Sequence, residues 1–383
     1  MINFYFSMPT AGLYIHIPFC RIKCMYCDFY SITERDDDIP SFFKALLKEI
    51  QLCPIDTSKW KINTIFIGGG TPSLIHPDLI IKLINTLSEK FDISKVVEFT
   101  IEANPGEAEM ESLKEFHDLG INRLSIGVQS LEPELLNFLT RNHSPSDVIT
   151  TFENARKAGY NNINCDLIYN IPNQTIDIWK RDLQKVIDLQ PDHISCYSLT
   201  VEKNTKLFRY VADGTITMPS DDESINYYEW TQSSLSNNNF VQYEISNWKK
   251  PNRECMHNIH YWKINPYLSF GPSAHSFDGE KRYSNVRSLD KYIRLIKEGK
   301  TPIDFSEDFS EKNFTNELIG FGLRISDGIN LNRIPNKFKK SVKKSIEENQ
   351  IKWGNYFIFE KDRLKLTNKG FAFSDAIAVD LMI

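Results

Sequence analysis

Residues 12–31 have the sequence GLYIHIPFCRIKCMYCDFYS, in which an apolar, β-branched run is followed at once by three cysteines. The run LYIHIPF (13–19) predicts a β-strand, and Cys20, Cys24 and Cys27 then fall in the loop that leaves it. Metal-binding side chains at the end of a strand are typical of folds that gather their chemistry at one edge of a sheet. The stretch therefore predicts a strand followed by a ligand-bearing loop.

The same alternation of strand and helix recurs along the first 200 residues. Amphipathic helical stretches separate six apolar runs, at 13–19, 63–70, 97–104, 123–130, 162–170 and 193–200. A spacing of about 30 residues per unit leaves room for a crossover helix between parallel strands. The predicted fold class is therefore α/β, with a partial (β/α)6 TIM-like barrel.

The pattern changes in the second half of the chain. Residues 240–290 are aromatic and irregular, and from about residue 311 helical segments precede two short strand-like ones. We predict a core barrel at 1–240, an aromatic-rich extension at 241–305 and a small C-terminal winged-helix-like α+β domain at 306–383.

Composition narrows the class of protein. The chain has 383 residues, a net charge of -5 and a pI near 6.0, so we expect no nucleic-acid partner. It has no apolar run long enough to span a membrane and no basic segment before its first apolar run, so we expect a cytoplasmic protein. Seven cysteines, clustered at one point, favour metal ligation in a reducing compartment over disulfides. A monomer and a homodimer are both compatible with the sequence.

The spacing C-x3-C-x2-C allows three interpretations. Three thiolates in one loop can hold an iron–sulfur cluster that has one iron without a protein ligand. A structural zinc site would need a fourth ligand, for which Cys255, His257 and His260 are the best candidates. The cysteines could also be ordinary thiols.

Other polar groups fall at the ends of the predicted strands. The segment GGGTP (68–72) lets the backbone approach a ligand closely, although a tight turn would explain the glycines equally well. Glu102 and Gln129 end apolar strands, where a strand without a ligand site would usually carry a small polar residue. Asp166 lies within a strand and should point into the barrel mouth, where a carboxylate needs a partner. Arg141 is the weakest candidate, because a lone arginine after a helix is usually solvated.

Together these motifs resemble the radical SAM superfamily. The cysteine loop, with Tyr26 just before its third cysteine, matches the cluster motif of that superfamily, and GGGTP matches its contact to the methionine amine. The resemblance implies a [4Fe-4S] cluster on Cys20, Cys24 and Cys27, with S-adenosyl-L-methionine on the open iron. It implies reductive cleavage of that molecule to methionine and a 5′-deoxyadenosyl radical, and leaves open whether this chain cleaves it or only binds it.

A narrower resemblance is to the oxygen-independent coproporphyrinogen III oxidase family. GLYIHIPFC, GGGTPS, FTIEANP, INRLSIGVQS, NINCDLIYNIPNQT and ISCYSLTVE occur here in the order seen in that family. The resemblance implies that the contacts to S-adenosyl-L-methionine come from Tyr14, Gly69, Gly70, Thr71, Glu102, Gln129, Arg141 and Asp166. Thr200 and His275 match more loosely.

Two departures separate this chain from the oxidases. Phe29 occupies the position where they carry a further cysteine, and only a short segment precedes Cys20. The haem-chaperone branch of the family shares both features, together with the motif HNIHYW (257–262). This branch implies haem and haem-accepting proteins as partners, whereas coproporphyrinogen oxidation is the alternative function.

The motif HNIHYW has a functional and a structural interpretation. His257 is a candidate haem-iron ligand, with Tyr261 and Trp262 as an apolar wall. Alternatively, the segment is an aromatic strand that closes the barrel, with His257 hydrogen-bonded in the core. Likewise His16 could contribute to the barrel mouth, but a strand histidine is more often structural.

A basic run near the C-terminus also has two interpretations. The run NKFKKSVKKS (336–345) predicts a helix with five lysines on one side, opposite Phe338 and Val342. Such a helix could make peripheral contact with an anionic membrane or a partner protein. A solvated helix face is the simpler interpretation.

Overall fold

The computed structural model of the protein describes residues 9–383, and a twelve-stranded sheet forms its centre. Six consecutive parallel strands lie side by side in chain order: β1 (Thr10–Ile17), β2 (Lys61–Gly69), β3 (Glu98–Ala103), β4 (Arg123–Gln129), β5 (Ile163–Tyr169) and β6 (His193–Ser198). Helices connect them or follow the last: α1 (Ile39–Leu52), α2 (Pro77–Lys90), α3 (Met110–Asp118), α4 (Pro133–Phe138), α5 (Pro145–Lys157), α6 (Ile176–Asp188), α7 (Lys206–Ala212) and α8 (Asp221–Asn237). Each predicted apolar run overlaps one of the six strands, which confirms the α/β prediction.

The six strands carry different chemistry on their two faces, because side chains alternate along a strand. One face is apolar and fully buried, as Ile15, Ile67 and Ile126 illustrate. The other face carries Tyr14 and Glu102 among other polar groups. A polar face inside a curved sheet needs partners of its own or a ligand, so this face is where a site is expected.

Residues 241–305 extend this sheet at both edges. Antiparallel strands β7 (Val241–Glu244) and β8 (Asn247–Lys249) continue it beyond β6. Strand β9 (Tyr267–Phe270) runs parallel to β1, followed by antiparallel β10 (His275–Phe277), β11 (Lys281–Asn285) and β12 (Ile303–Asp308). The expectation of irregular structure was therefore wrong, because short strands without a long apolar run give little periodicity. The placement of domain boundaries at 240 and 305 stays a prediction.

Two helices accompany the added strands, α9 (Met256–Trp262) and α10 (Leu289–Lys297). Helix α9 lies across the ends where the first strands begin. Glu98, the first residue of β3, accepts hydrogen bonds from the backbone N–H groups of Met256 (2.8 Å) and His257 (2.9 Å). Nε2 of His260 lies 2.9 Å from Oδ1 of Asn63 in β2. Helix α9 thus fills the barrel from the side opposite the cysteine loop.

The C-terminal part has its own small sheet. Its strands β13 (Ile329–Asn330), β14 (Phe357–Glu360) and β15 (Arg363–Leu366) pair in the order β13-β15-β14. Its helices are α11 (Glu311–Gly322), α12 (Asn336–Glu348), α13 (Gln350–Trp353), α14 (Asn368–Phe371) and α15 (Ser374–Leu381). The arrangement agrees with the winged-helix-like prediction and adds β13 to the predicted two-stranded ribbon. Within residues 9–383, no helix combines the length and the apolarity needed to cross a membrane.

Candidate cluster and cofactor site

The loop after β1 is held in shape by its own backbone and by Lys23. The N–H of Cys20 donates to the carbonyl of Ile32 (2.9 Å), and the N–H of Cys27 donates to the carbonyl of Cys24 (3.3 Å). The ammonium of Lys23 donates to the carbonyl of Phe29 at 2.6 Å. The three thiols are therefore carried on one constrained loop, each partly exposed.

The surroundings of the thiols suit sulfur that is bound to a metal. Oγ1 of Thr71 donates to Sγ of Cys20 at 3.6 Å, and Nη1 of Arg141 donates to Sγ of Cys24 at 3.7 Å. Burial raises the pKa of the Cys20 and Cys27 thiols. Without a metal these two groups keep their protons at neutral pH, whereas a metal would displace them and leave anionic sulfur that the two donors can stabilise. The donor set therefore fits an iron–sulfur cluster.

The candidate fourth ligands of the zinc interpretation lie elsewhere. Cys255 donates to a carboxylate oxygen of Glu98 at 3.7 Å, where β3 begins. The cysteine loop, in contrast, follows the end of β1, so the strands separate the two sets. Within residues 9–383, no group of three His, Cys, Asp or Glu side chains is arranged to hold a single metal ion. The expectation that Cys255, His257 or His260 completes a zinc site was wrong.

The glycines after β2 allow two strand ends to approach closely. Gly69 has φ of 113°, which a side chain would strain, and its N–H donates to Oε2 of Glu102 at 3.0 Å. A Cβ on Gly70 would lie 2.5 Å from the carbonyl oxygen of Phe19 in the neighbouring loop. The glycine segment and the cysteine loop are thus packed backbone against backbone, which leaves a cradle that larger residues would fill.

Asn104 joins the separate parts of the site, and the sequence analysis missed it. Its Nδ2 donates to Oγ1 of Thr71 at 2.8 Å, while its Oδ1 accepts from Nη2 of Arg141 at 2.7 Å. Arg141 also donates to the carbonyl of Gly127 at 2.9 Å, and its Nε has no partner among residues 9–383. Arg141 is therefore an integral part of the site rather than a solvated arginine. The signal for Asn104 was its place two residues after Glu102 in the same motif.

Gln129 and Tyr26 lie beside this network. Gln129 ends β4 with φ of 63°, an unusual backbone conformation for a residue other than glycine, and the register to β5 shifts between Gly127 and Gln129. At this bulge the Gln129 amide lies close to Gly127. A Cβ added to Gly127 would be 2.9 Å from Nε2 of Gln129. Burial raises the pKa of Tyr26 well above its ordinary value, against the opposing charge of Arg141.

Two half-buried acids face the same interior. Burial, and next the charge of Asp166, raise the pKa of Glu102 to about 7. Asp166 accepts hydrogen bonds from Oγ of Ser125 and Nδ2 of Asn164, both at 2.9 Å. The ionised form of Glu102, which burial and the neighbouring carboxylate disfavour, would gain from a cationic ligand. A sulfonium or ammonium group is such a ligand, and the residues present therefore fit S-adenosyl-L-methionine.

Tyr14 is oriented by His16 from the same strand. Nε2 of His16 lies 2.7 Å from the carbonyl of Tyr30, which can only accept, so Nε2 carries the proton. Nδ1 of His16 then accepts from the hydroxyl of Tyr14 at 3.1 Å. Burial lowers the pKa of His16 to about 4, which keeps the ring neutral. His16 therefore links Tyr14 to the end of the cysteine loop.

His257 lies deeper in the barrel than the cysteine loop, with its ring centre 6.3 Å from that of Tyr14. It is on helix α9, so the alternative of an aromatic strand was wrong, while the expectation of a hydrogen-bonded core position fits. Its side chain is 1% exposed, with Nδ1 2.9 Å from Oγ1 of Thr64 and Nε2 2.9 Å from the hydroxyl of Tyr261. Both ring nitrogens are already engaged. The prediction that His257 binds haem iron therefore requires α9 to move out of the barrel.

Comparisons with known proteins agree with this geometry. Residues 14–186 match the family described as the Radical SAM superfamily. The chain is 34% identical over 360 residues to the "Heme chaperone HemW" of Lactococcus lactis subsp. lactis (strain IL1403), which covers 94% of this chain and 93% of that protein. It is also 34% identical to the "Heme chaperone HemW" of Bacillus subtilis (strain 168), over 86% of this chain and 87% of the relative.

A solved structure has the same fold. The coproporphyrinogen III oxidase HemN from Escherichia coli, described as a radical SAM enzyme, superposes with a TM-score of 0.84. The match covers 99% of this chain and 91% of the oxidase at 21% sequence identity, and so it bears on the fold alone. It confirms the partial barrel with its C-terminal appendage. The sequence relatives decide the family: the chain belongs to the radical SAM superfamily and, within it, to the family of the HemW proteins.

Proposed function

We propose that this protein is a haem chaperone of the radical SAM type, which binds haem and delivers it to acceptor proteins. It would do so while holding a [4Fe-4S] cluster on Cys20, Cys24 and Cys27 together with S-adenosyl-L-methionine. Support comes from relatives named heme chaperones that span nearly the whole chain. The runner-up is oxidative decarboxylation of coproporphyrinogen, which the fold would equally accommodate.

Phe29 is the observation that carries the choice between these functions. Its side chain is 70% exposed just after the last cysteine of the loop, where the oxidase family has a further cysteine. An exposed apolar ring at this position supplies neither a thiol nor a hydrogen-bonding group to the mouth of the barrel.

The chain's own residues bind and orient the cofactors. A cluster of this type, when bound, supplies one electron to the sulfonium of S-adenosyl-L-methionine. Thr71 and Arg141 stabilise the cysteine sulfurs by hydrogen bonds, and the backbone around Gly69 and Gly70 leaves room for the amino-acid part of the ligand. Glu102 and Asp166 provide acceptors and negative charge in the interior of the barrel.

The experiment that separates the two functions is product analysis under anaerobic conditions. Protein with a reconstituted cluster is incubated with S-adenosyl-L-methionine, a reductant and coproporphyrinogen III, and in parallel is titrated with haem. We expect saturable, stoichiometric haem binding and no protoporphyrinogen. An authentic oxidase serves as the positive control for the assay, and conversion of coproporphyrinogen at a comparable rate would refute the proposal.

The lysine-rich helix is the proposed site for any peripheral membrane or partner contact. Lys339, Lys340 and Lys343 lie on α12, but Lys337 pairs with Glu311 at 2.6 Å and Lys344 pairs with Glu348 at 3.4 Å. The pairing weakens the positive field of this face. We expect the protein to sediment weakly with anionic vesicles, and we expect salt to reduce this binding. Complete absence of binding at low salt would show that this side of α12 is only a solvated helix face.

A further inference from the structure

The eight histidines of the chain differ in what their rings already contact. A hydrogen bond or an ion pair engages the ring of seven of them: His16, His76, His117, His143, His193, His257 and His260. His275 is exposed and makes neither kind of contact within residues 9–383. It alone offers two free ring nitrogens.

Strand register places His275 on the interior face of the sheet. Phe277, two residues along β10, pairs with Tyr267 of β9, and Tyr267 pairs with Gly12 of β1. Gly12 lies two residues before Tyr14, and paired residues project to the same side, so His275 shares the face of Tyr14. This face is the one that carries the candidate site.

A short row of residues continues from His275 to the free edge of the sheet. His275 pairs with Ser284 of β11, and Ser284 pairs with Phe305 of β12. Neighbouring strands lie about 4.8 Å apart, so Phe305 is about 10 Å from His275 across the small Ser284. Phe305 is 52% exposed. The imidazole of His275, the small side chain of Ser284 and the ring of Phe305 thus follow one another over a distance that matches the width of a porphyrin.

A cation lies at the rim where this row meets the cysteine loop. The guanidinium of Arg287, which follows β11, lies 5.9 Å from the centre of the Tyr30 ring and donates to the carbonyl of Asp28 at 3.1 Å. Both His275 and Arg287 influence the pKa of His16, so both lie near that ring. Arg287 is more than half exposed and has donors left for a carboxylate.

We infer that His275 is the protein ligand of the haem iron, with the porphyrin lying over Ser284 towards Phe305 and its propionates near Arg287. The inference rests on the proposed haem-chaperone function and assigns the ligand within it. Haem binding needs a neutral imidazole, an apolar face and cations for the propionates, and this edge supplies all three. Partial burial of the ring, and next the charge of Arg282, lower the pKa of His275, which favours the neutral imidazole. Haem binding at His275 requires no helix to move, whereas binding at His257 would require helix α9 to move.

The test is a haem titration followed by absorption spectroscopy. It compares the wild type with His275→Ala and with His76→Ala, an exposed histidine on the cap of α2 that serves as the matched control. We expect His275→Ala to lose about tenfold or more in haem affinity and to lose the spectral shift of ligation, while His76→Ala behaves as wild type. Added imidazole should restore the shift in His275→Ala. An unchanged urea midpoint should show that the variant is folded, since the side chain makes no hydrogen bond.

The outcomes separate this inference from the proposed function. A wild-type haem spectrum in His275→Ala overturns the inference and leaves the haem-chaperone proposal standing. Loss of the spectrum in His257→Gln with retention in His275→Ala also overturns it, because the ligand is then on α9. Weaker S-adenosyl-L-methionine binding in His275→Ala with unchanged haem affinity would assign His275 to the cofactor instead. Failure of the wild type to bind haem overturns both.

Discussion

At the scale of single residues, the site is built from contacts between loops that follow different strands. Thr71 after β2, Asn104 after β3 and Arg141 after α4 form one hydrogen-bonded chain that ends on Cys20 and Cys24. The cysteines, the glycines and Glu102 stand out in the sequence because each lies at a strand end, whereas Asp166 stands out as an acid within β5. Asn104 was not predictable, because an asparagine after a strand is also a common turn residue.

The cysteine loop gives the most direct prediction at this scale. Cys24→Ser, or the same change at Cys20 or Cys27, should abolish the iron content and the visible absorption of the anaerobically reconstituted protein, because each thiolate would hold one iron of the proposed cluster. Cys53→Ser is the control, since Cys53 lies at the end of α1 outside the site. Iron analysis of the four variants checks the prediction. Retention of a full cluster in any of the three loop variants would contradict it.

Gly70 tests the packing of the two loops. Gly70→Ala places a methyl group 2.5 Å from the carbonyl oxygen of Phe19, which is backbone and cannot turn aside. We expect loss of S-adenosyl-L-methionine binding and a destabilisation of about 1–3 kcal/mol. The control is Ser73→Ala, because the Ser73 hydroxyl has no partner among the described residues. Calorimetric affinities and urea midpoints measure both effects, and equal behaviour of the two variants would count against the prediction.

At the scale of elements, helix α9 is the piece that the sequence predicted least well. Its residues 256–262 are largely aromatic or histidine, and a helix of this length has too few turns to show a period. Tertiary contacts hold it instead. Glu98 accepts hydrogen bonds from two of its N–H groups, and burial raises the pKa of that carboxyl against the opposing charge of Arg123. Glu98 therefore shares the attachment of the helix with Asn63 and Thr64 of β2, which contact its histidines.

Removal of the Glu98 side chain should loosen α9. Glu98→Ala leaves two N–H groups of the helix without an acceptor and deprives buried Arg123 of its nearby carboxyl, so we expect a destabilisation of about 2–4 kcal/mol. Glu111→Ala, on the exposed face of α3, is the matched control and should change stability by less than about 0.5 kcal/mol. Urea unfolding monitored by circular dichroism measures both. Similar midpoints for the two variants would show that Glu98 does not hold α9.

At the scale of the whole molecule, the sheet extends well beyond the six strands that the sequence predicted. Strands β7 to β12 lie on both flanks, and β9 pairs with β1 although more than 250 residues separate them in the chain. Pairing at such a distance leaves no local signal in the sequence. Glu49 of α1 fixes this flank by accepting hydrogen bonds from the N–H of Gly271, from Nδ2 of Asn285 and from the hydroxyl of Tyr292.

Glu49 makes the attachment of this flank sensitive to pH. Burial raises its pKa to about 7, against the three hydrogen bonds. A carboxyl with a raised pKa contributes stability that is full below its unfolded pKa of about 4.3 and is lost as the pH rises through 7. The wild type should therefore lose up to about 1.4 kcal/mol per pH unit across this window relative to Glu49→Gln, which does not titrate. Urea midpoints at pH 5 and pH 8 measure the difference, and parallel pH profiles would rule out this role.

The central claim, that the chain carries haem, is tested most directly by titrating the cluster-loaded protein with haem without oxygen. The account predicts a saturable change in the haem absorption band with a stoichiometric end point. It further predicts that the bound haem moves to an apo-haem protein mixed with the complex. A linear, non-saturating change equal to that of haem in buffer would contradict the account.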